Sequence, residues 1–176
     1  THHPNGINIL MVKIFLNDSN TKIIITGNSR DPVSEALRMI RSNIEYLRTD
    51  TESSKTIMLT SFMEAAGKSF LSLNLAASYA LAGKKVVLVD LDIRKCTLAR
   101  TLHLSQKQLG VTHYLSGKVT DPGQLIVHSQ EVQHLDYVFA GIIPPNPAEL
   151  LGSSLLDELV TYLKANYDYV FLDSVP

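Results

Sequence analysis

The segment Gly67-Lys68-Ser69 combines a glycine, a cation and a hydroxyl group in an order that suits phosphate binding. It follows an apolar stretch, Thr56 to Thr60, and opens a long apolar helix pattern. Backbone N–H groups at the start of a helix point at an anion, and the helix dipole favours negative charge there. A lysine at this place can reach the β- and γ-phosphates of a nucleotide, and the serine hydroxyl can bind Mg²⁺. The segment predicts a phosphate-binding loop, although Phe62 stands where the usual pattern has its first glycine.

Aspartates at the ends of two apolar segments supply the carboxylates that such a loop needs. Asp90 and Asp92 end the segment that begins at Val86, and Asp173 ends the segment that begins at Tyr169. Ligands of open parallel sheets bind at the carboxyl ends of the strands, so we expect Asp90 beside the loop, where it binds Mg²⁺ or accepts a proton. The alternative for Asp90 is a helix cap, but the second aspartate and the neighbouring loop favour chemistry. We expect Asp173 to hold Mg²⁺ beside the serine of the loop.

The elements that must position these residues predict an α/β fold with a mainly parallel sheet. The uninterrupted apolar run Val86 to Val89 is typical of a strand buried on both faces. Together with the preceding strand and helix it makes a βαβ unit of about 35 residues. The helix after Ser69 is apolar nearly all round, so it should lie buried against the sheet and end at Gly83.

The remaining elements follow from apolar spacing and helix caps. Asp31-Pro32 predicts a helix start, with one apolar face formed by Val33, Leu37, Ile40, Ile44 and Leu47. On the same helix Glu35, Arg38 and Arg41 form a charged stripe, for which the simplest interpretation is a solvated face. Further predictions are β segments at 7–15 and 22–26, short helices within 97–118, a strand or helix edge at 125–127, a strand from Leu135 to Ala140 and a helix from about Ala148 to Asn166. We divide the chain into an N-terminal arm or linker, residues 1–30, and a domain, residues 31–176.

Composition narrows the possible classes of protein. The chain has 176 residues, of which 45% are hydrophobic and 19% charged, as expected of one globular domain. The net charge of −1 gives no reason to expect nucleic acid as a partner. Cys96 is the sole cysteine, which excludes an internal disulfide and fits a reducing compartment. The histidines have no ligand spacing, so we expect surface or internally bonded side chains at His103, His113, His128 and His134.

Taken together, the motifs resemble the cytoplasmic domain of the bacterial tyrosine kinases, which belong to the phosphate-loop NTPases and serve capsule and exopolysaccharide assembly. The resemblance runs from about Ser29 to Pro176. The motifs that carry it are Glu35-Ala-Leu-Arg38-Met-Ile-Arg41, Gly67-Lys68-Ser69, Val87-Leu-Val-Asp90-Leu-Asp92-Ile-Arg94-Lys95, Pro144-Pro-Asn-Pro-Ala-Glu-Leu-Leu151 and Phe171-Leu-Asp173-Ser-Val-Pro176. It implies a three-layer phosphate-loop fold, here apparently truncated after the Walker B strand.

The resemblance also implies a reaction and a set of roles. The activity would be Mg²⁺-dependent phosphoryl transfer from ATP to tyrosine, including autophosphorylation. Lys68, Asp90 and Asp92 would be catalytic, with Asp90 as the Walker A′ aspartate. Ser69, Asp90 and Asp173 would hold Mg²⁺. The nucleotide would be bound by the segment that comprises Glu64, Ala65, Ala66, Gly67, Lys68, Ser69 and Phe70.

The implied partners are other copies of the chain and a membrane. Glu35, Arg38 and Arg41 would join subunits into a ring, in which the tyrosine-containing tail of one subunit enters the site of its neighbour. The domain would lie on the cytoplasmic side of the inner membrane, with the anchor segments outside this chain. The resemblance implies no binding of nucleic acid.

Two departures from the family pattern leave alternatives open. Glu64, Ala65 and Ala66 stand where the family has a proline and a second glycine, and a carboxylate near phosphates predicts weaker nucleotide binding. The tyrosines are scattered, without the cluster that the family carries in its tail. A non-catalytic, oligomerising module of a polysaccharide co-polymerase, with a degenerate phosphate loop, is therefore the second hypothesis. A partition-type ATPase is disfavoured, because no lysine lies between Lys55 and Lys68.

Overall fold

Five strands form one sheet in this computed structural model, which describes residues 23, 25, 27, 28, 30–47, 54–60, 67–104 and 108–174. In chain order they are β1 (Lys55–Leu59), β2 (Val86–Asp90), β3 (Ile126–His128), β4 (Leu135–Val138) and β5 (Tyr169–Asp173). Their spatial order is β1-β5-β2-β4-β3. All neighbours are parallel except the edge pair of β3 and β4. The predicted α/β fold with a mainly parallel sheet is confirmed.

Helices cover both faces of the sheet. They are α1 (Pro32–Tyr46), α2 (Lys68–Leu81), α3 (Thr97–Thr101), α4 (Val111–Leu115), α5 (Pro147–Leu151) and α6 (Ser154–Asn166). One core cluster joins α1, α2 and α3 to the sheet face that carries Leu88 and Phe171. A second cluster joins α4, α5 and α6 to the opposite face, which carries Val89 and Leu172. The two clusters make the expected three layers.

The central strands are buried on both faces. Every residue of β2 and of β5 is inaccessible to solvent or nearly so. This is the environment that the apolar runs before Asp90 and Asp173 predict, since a parallel strand between two helical layers contacts apolar side chains on either side. Strand β2 ends at Asp90, so Asp92 lies in the loop that follows.

Helix α1 begins where its cap predicts and is fixed to α2. The Asp31 carboxylate accepts hydrogen bonds from the N–H groups of Val33 and Ser34, at 3.1 and 2.9 Å. Of the predicted apolar face, Leu37 is fully buried, Val33, Ile40 and Ile44 pack at the margin of the core, and Leu47 is exposed. The Arg41 guanidinium donates a hydrogen bond to the backbone oxygen of Ser78 at 2.5 Å.

Helix α2 is the most deeply buried helix of the described residues. Residues 72–80 are all buried, because α1 covers the side of α2 that faces away from the sheet. The helix ends at Leu81, and Gly83 follows with a left-handed φ of +83°, as its position after the last apolar residue predicts.

Two predicted elements are wrong in their bounds. The helix predicted from Ala148 to Asn166 is interrupted between Leu151 and Ser154, where Gly152 ends α5 and Ser153 adopts an extended backbone with ψ 153°. The Ser153 hydroxyl donates to the Leu150 carbonyl at 2.8 Å and so closes the end of α5. Strand β4 is two residues shorter than Leu135 to Ala140, since Phe139 leaves the ladder to pair with Gly110.

Most of the N-terminal predictions fall on residues that are not described. The β segment at 7–15 and most of the one at 22–26 lie outside the described residues, and the division at residue 30 stays a prediction. Ile25 is described and buried in the core, and its N–H donates to the Asn74 side chain at 3.4 Å. No helix within the described part of the chain is long and apolar enough to cross a bilayer.

Candidate active site

The start of α2 has the backbone that anion binding requires. Gly67 is the N-cap and has a left-handed φ of +75°, which costs other residues about 1–2 kcal/mol. The first N–H groups of a helix have no partner inside the helix, so those at the start of α2 need a partner from outside it, which an anion can supply. Lys68, Ser69 and Phe70 form this first turn and are half-buried. The preceding Glu64, Ala65 and Ala66 lie outside the described residues.

A buried ion pair links the start of α2 to the end of β5. The Lys68 ammonium group binds Asp173 Oδ1. The lysine side chain is 11% exposed and the aspartate 1%, so solvent screens this attraction little. The two residues lie 105 positions apart in the chain, and the fold brings the lysine of the first motif into contact with the aspartate of the last.

Asp90 stands beside Asp173 on the same face of the sheet. The two residues are paired in the parallel register of β2 and β5. Side chains alternate along a strand, so Asp90 shares a face with Leu88, and Asp173 shares one with Phe171. Both of these apolar residues belong to the cluster that includes α2. Both carboxylates therefore lie at the carboxyl edge of the sheet, on the side of α2.

The protein holds the Asp90 carboxylate by its own backbone. Oδ1 accepts the N–H of Asp92 at 3.0 Å, and Oδ2 accepts the N–H of Leu98 at 3.1 Å. Burial nevertheless raises the pKa of Asp90 to about 7, and the negative charge of Asp173 adds to this effect. The two hydrogen bonds oppose the rise because they favour the charged form. At neutral pH this carboxyl group therefore takes up and releases a proton readily.

Asp92 supports Asp90 through its main chain and shapes the loop with its side chain. Its Oδ1 accepts the N–H of Lys95 at 3.3 Å, and its backbone oxygen accepts the N–H of Cys96 at 2.8 Å. The aspartate thus folds the loop after β2 into a turn. A side chain oxygen followed by an N–H three positions later is a common turn pattern, so the sequence contained a signal for this second role.

The donor set at this edge fits a magnesium ion. Asp173 Oδ2 is buried and has no hydrogen-bond partner among the described residues. Mg²⁺ takes oxygen ligands and is usually held by one or two carboxylates together with substrate phosphates. Asp90, Asp173 and the hydroxyl of Ser69 match that description. The described residues include no group of three or more His, Cys, Asp or Glu side chains that could hold a metal without such help.

The expected interface residues differ in what they contact. Arg38 pairs with Glu35 at 2.6 Å on an exposed part of α1. Arg41 turns inward, and besides the Ser78 carbonyl its guanidinium reaches the Ser78 hydroxyl at 3.2 Å. The stripe is thus divided between a surface pair and a residue that anchors α1 on α2.

Comparison with known proteins assigns the family. A family model described as an AAA domain matches residues 54–176. The chain belongs to this family. Tyrosine-protein kinase YwqD of Bacillus subtilis is 42% identical over 81% of the chain and 59% of its own length. A putative tyrosine-protein kinase of the cps region of Klebsiella pneumoniae is 33% identical over 90% of the chain and 22% of its own length.

A solved structure extends the agreement to the fold. The kinase domain of the Escherichia coli tyrosine kinase ETK superposes with a TM-score of 0.77 at 30% identity, covering 85% of this chain and 57% of that one. The expected resemblance to the bacterial tyrosine kinases and their phosphate-loop fold is confirmed. The chain spans between about a fifth and three fifths of the length of these two curated relatives.

The sequence did not reveal which groups hold the aspartates or what lies beside them. The Leu98 N–H that binds Asp90 comes from the start of α3, and nothing in the local pattern marks it. The apolar pair Ile142 and Ile143 is exposed at the same edge of the sheet, at 46% and 65%. The sequence contained a sign of this exposure, because the two isoleucines lie outside the predicted strand and directly before a proline-rich loop.

Proposed function

We propose that the chain is the catalytic domain of an ATP-dependent bacterial tyrosine kinase of capsule or exopolysaccharide synthesis. The observation that carries the proposal is the arrangement of Asp90 and Asp173 side by side, with Lys68 bound to Asp173. Phosphoryl transfer needs a cation at the phosphates, carboxylates for a metal and a group that positions or deprotonates the acceptor. All of these types of group meet at one edge of the sheet.

In this proposal Asp90 takes the proton of the acceptor. The oxygen of the tyrosine hydroxyl forms a bond to the γ-phosphorus, the bond from that phosphorus to the β–γ bridging oxygen breaks, and ADP leaves with the electron pair. The hydroxyl proton passes to the carboxylate of Asp90. A base is most effective when its pKa lies near the working pH, and burial raises the pKa of Asp90 to about 7. The N–H groups of Asp92 and Leu98 keep the carboxylate in place.

Lys68, Ser69 and Asp173 are proposed to bind the triphosphate and its metal. Mg²⁺, when bound, neutralises charge that develops on the transferred group. The unpartnered Oδ2 of Asp173 and the hydroxyl of Ser69 would hold it, which leaves the carboxylate of Asp90 to accept the proton. Asp173 keeps the Lys68 ammonium group inside the site until phosphate oxygens compete for it. The N–H groups at the start of α2, with the segment from Glu64 to Phe70, would surround the phosphates.

We further propose that the partners are other copies of this chain. Glu35 and Arg38 would contact the neighbouring subunit in a ring, and Arg41 would contribute by holding α1 on α2. The acceptor would be a tyrosine of a neighbouring tail. The domain would work at the cytoplasmic face of the inner membrane, in line with the resemblance to the capsule kinases.

The test is phosphotyrosine mass spectrometry after incubation with ATP, Mg²⁺ and an acidic tyrosine polymer as acceptor. Lys68→Met should abolish phosphotyrosine, because it removes the cation from the phosphates. The matched control is Lys85→Met, which makes the same substitution at the opposite end of β2, where the ammonium group lies 5.7 Å from the ring of Tyr167. Phosphotyrosine in the parent and the control, but not in Lys68→Met, is the expected result.

Two other outcomes contradict the proposal in different ways. Phosphotyrosine in Lys68→Met at the parental level would mean that the chemistry does not take place at this loop. No phosphotyrosine in any sample, with the protein folded and oligomeric, would favour the non-catalytic assembly module. In that case the altered segment Glu64, Ala65 and Ala66 would be the first place to examine.

A further inference from the structure

A cleft of about 330 Å³ opens at the carboxyl edge of the sheet, beside the aspartates. Its walls come from the loop after β2, from α3 and from the loop after β4. The lining residues are Lys95, Cys96, Arg100, Gly141, Ile142 and Ile143. None of these side chains is assigned to the phosphate and metal site described above.

The two loops are fastened to each other at the base of the cleft. The thiol of Cys96 donates a hydrogen bond to the backbone oxygen of Gly141 at 3.3 Å. Cys96 has a left-handed φ of +49°, which is uncommon for a residue other than glycine, and Gly141 has a φ of +89°. A β-carbon on Gly141 would lie 2.5 Å from Thr112 Oγ1, so only glycine fits there. These contacts give the cleft defined walls.

The base of the cleft adjoins the carboxylates of the proposed reaction. The N–H of Lys95 binds the Asp92 side chain, and the N–H of Cys96 binds the Asp92 backbone oxygen. Burial, together with the charges of Asp90 and Asp92, raises the pKa of the Cys96 thiol to about 11. An occupant of the cleft would therefore lie close to the carboxylate that is proposed to accept a proton.

The walls combine apolar surface with positive charge. Ile142 and Ile143 present exposed side chains of a kind that usually lie buried. Arg100 donates a hydrogen bond to the backbone oxygen of Lys95 at 2.7 Å, and both of these basic residues line the cleft. The volume is at the lower end of the range of about 300–1,000 Å³ that is usual for ligand sites, which suits one aromatic side chain and its neighbours.

We propose that this cleft binds the acceptor segment, with a tyrosine ring against Ile142 and Ile143 and acidic neighbours of that tyrosine on Lys95 and Arg100. The inference rests on the proposed kinase function and specifies its substrate: a tyrosine flanked by glutamate or aspartate. The apolar wall selects the ring, and the cations select the sequence around it. An acidic segment of a second copy and one of another protein would be bound by the same chemistry.

The first measurement is the binding of fluorescent peptides to the whole chain, followed by anisotropy. We would compare a tyrosine flanked by glutamates, the same tyrosine flanked by lysines, and the glutamate peptide with alanine for tyrosine. The acidic tyrosine peptide should bind at least tenfold more tightly than either of the others. Arg100→Glu should remove this preference or invert it, whereas Lys84→Glu, a charge reversal on an exposed residue at the other edge of the sheet, should leave it unchanged.

A second variant tests the apolar wall independently of charge. Ile143→Asn replaces a side chain that is 65% exposed and adds no charge, so it should not disturb folding. It should weaken binding of the acidic tyrosine peptide about tenfold and leave binding of the alanine peptide almost unchanged. Equal binding of the three peptides by the parent, or no effect of Arg100→Glu, would overturn the inference.

Transfer assays separate this inference from the function on which it rests. If the parent phosphorylates tyrosine, the KM for the acidic peptide should rise at least tenfold in Arg100→Glu, and an unchanged KM would overturn the assignment of the cleft. If the acidic peptide binds with the expected preference but no phosphotyrosine forms, the kinase proposal fails and the cleft remains a binding site. Peptides from this chain and from unrelated acidic sequences distinguish the two sources of the segment.

Discussion

The substitution Asp90→Asn should destabilise the protein at acidic pH and stabilise it at alkaline pH. The pKa of this carboxyl group is 3.8 in its ordinary state and about 7 in the folded protein, chiefly because of burial. That difference corresponds to about 4 kcal/mol of unfolding free energy. Because the folded state keeps its proton to higher pH than the unfolded chain, stability falls as the pH rises from about 4 to about 7 and then levels off.

The substitution removes this charge but also disturbs two hydrogen bonds. The carboxylate accepts one N–H from Asp92 and one from Leu98, whereas an asparagine amide offers a single acceptor oxygen. Its NH₂ group would face the other N–H, at a cost of about 1–3 kcal/mol. Near pH 4, where the parent is neutral, Asp90→Asn should be less stable by about 2 kcal/mol. Near pH 8, where the parent carries the buried charge, it should be more stable by about 2 kcal/mol.

Urea unfolding with EDTA and without nucleotide measures both values. The matched control is Asp157→Asn, which makes the same change at an exposed residue in the first turn of α6 and should cost less than about 1 kcal/mol at either pH, the favourable contact of the charge with the helix dipole. A stability difference for Asp90→Asn that is equal at the two pH values would refute the reasoning, because it would show that the buried carboxyl group does not titrate between them.

Other predictions concern the frame of the site. Gly110→Ala should lower the free energy of unfolding in urea by about 3 kcal/mol, because a β-carbon would lie 2.3 Å from the backbone oxygen of Phe139. Gly83→Ala should lower it by about 1 kcal/mol, because Gly83 has open space around it but a φ of +83°. Arg41→Ala should lower the free energy of unfolding by about 2 kcal/mol, because it removes the hydrogen bond to α2. Arg38→Ala should lower it by less than about 0.5 kcal/mol, because it removes only a surface ion pair. If Arg38 contacts a second copy, Arg38→Ala should nevertheless yield monomers in light scattering, and an unchanged mass would remove it from the interface.

Local signals predicted most of the elements in the described part of the chain. Asp31 caps the start of α1 with its side chain, and the ring of Pro32 favours the backbone of a first helical residue. Both effects depend on near neighbours alone. Apolar runs that end in aspartate identified β2 and β5 because burial on both faces leaves no place for a polar residue before the end of the strand. The break between α5 and α6 was missed because the leucine spacing continues across Ser153, and one extended residue does not disturb a pattern of period 3.6.

The carboxylates of the site could be predicted in kind but not in detail. The rule that ligands bind at the carboxyl ends of parallel strands places Asp90 and Asp173 at one edge of the sheet. That they lie side by side depends on β2 and β5 being neighbours, which the rule does not give. The partners of those carboxylates depend on contacts between distant segments, such as the Lys68 pair with Asp173. The cleft beside them depends on a contact between Cys96 and Gly141, which are 45 positions apart in the chain. No local pattern contains that information.

The same packing that stabilises the sheet also raises the pKa of Asp90. Strand β2 is buried along its whole length because helical layers cover both faces, and Asp90, as its last residue, shares that burial. Desolvation then raises the pKa of its carboxyl group, and the backbone N–H groups of the next loop keep it from turning towards solvent. An apolar residue at this position would make a more stable sheet at neutral pH. The carboxylate therefore lowers the stability of the fold at neutral pH, and a variant that removes it should gain stability and lose the proposed phosphoryl transfer together.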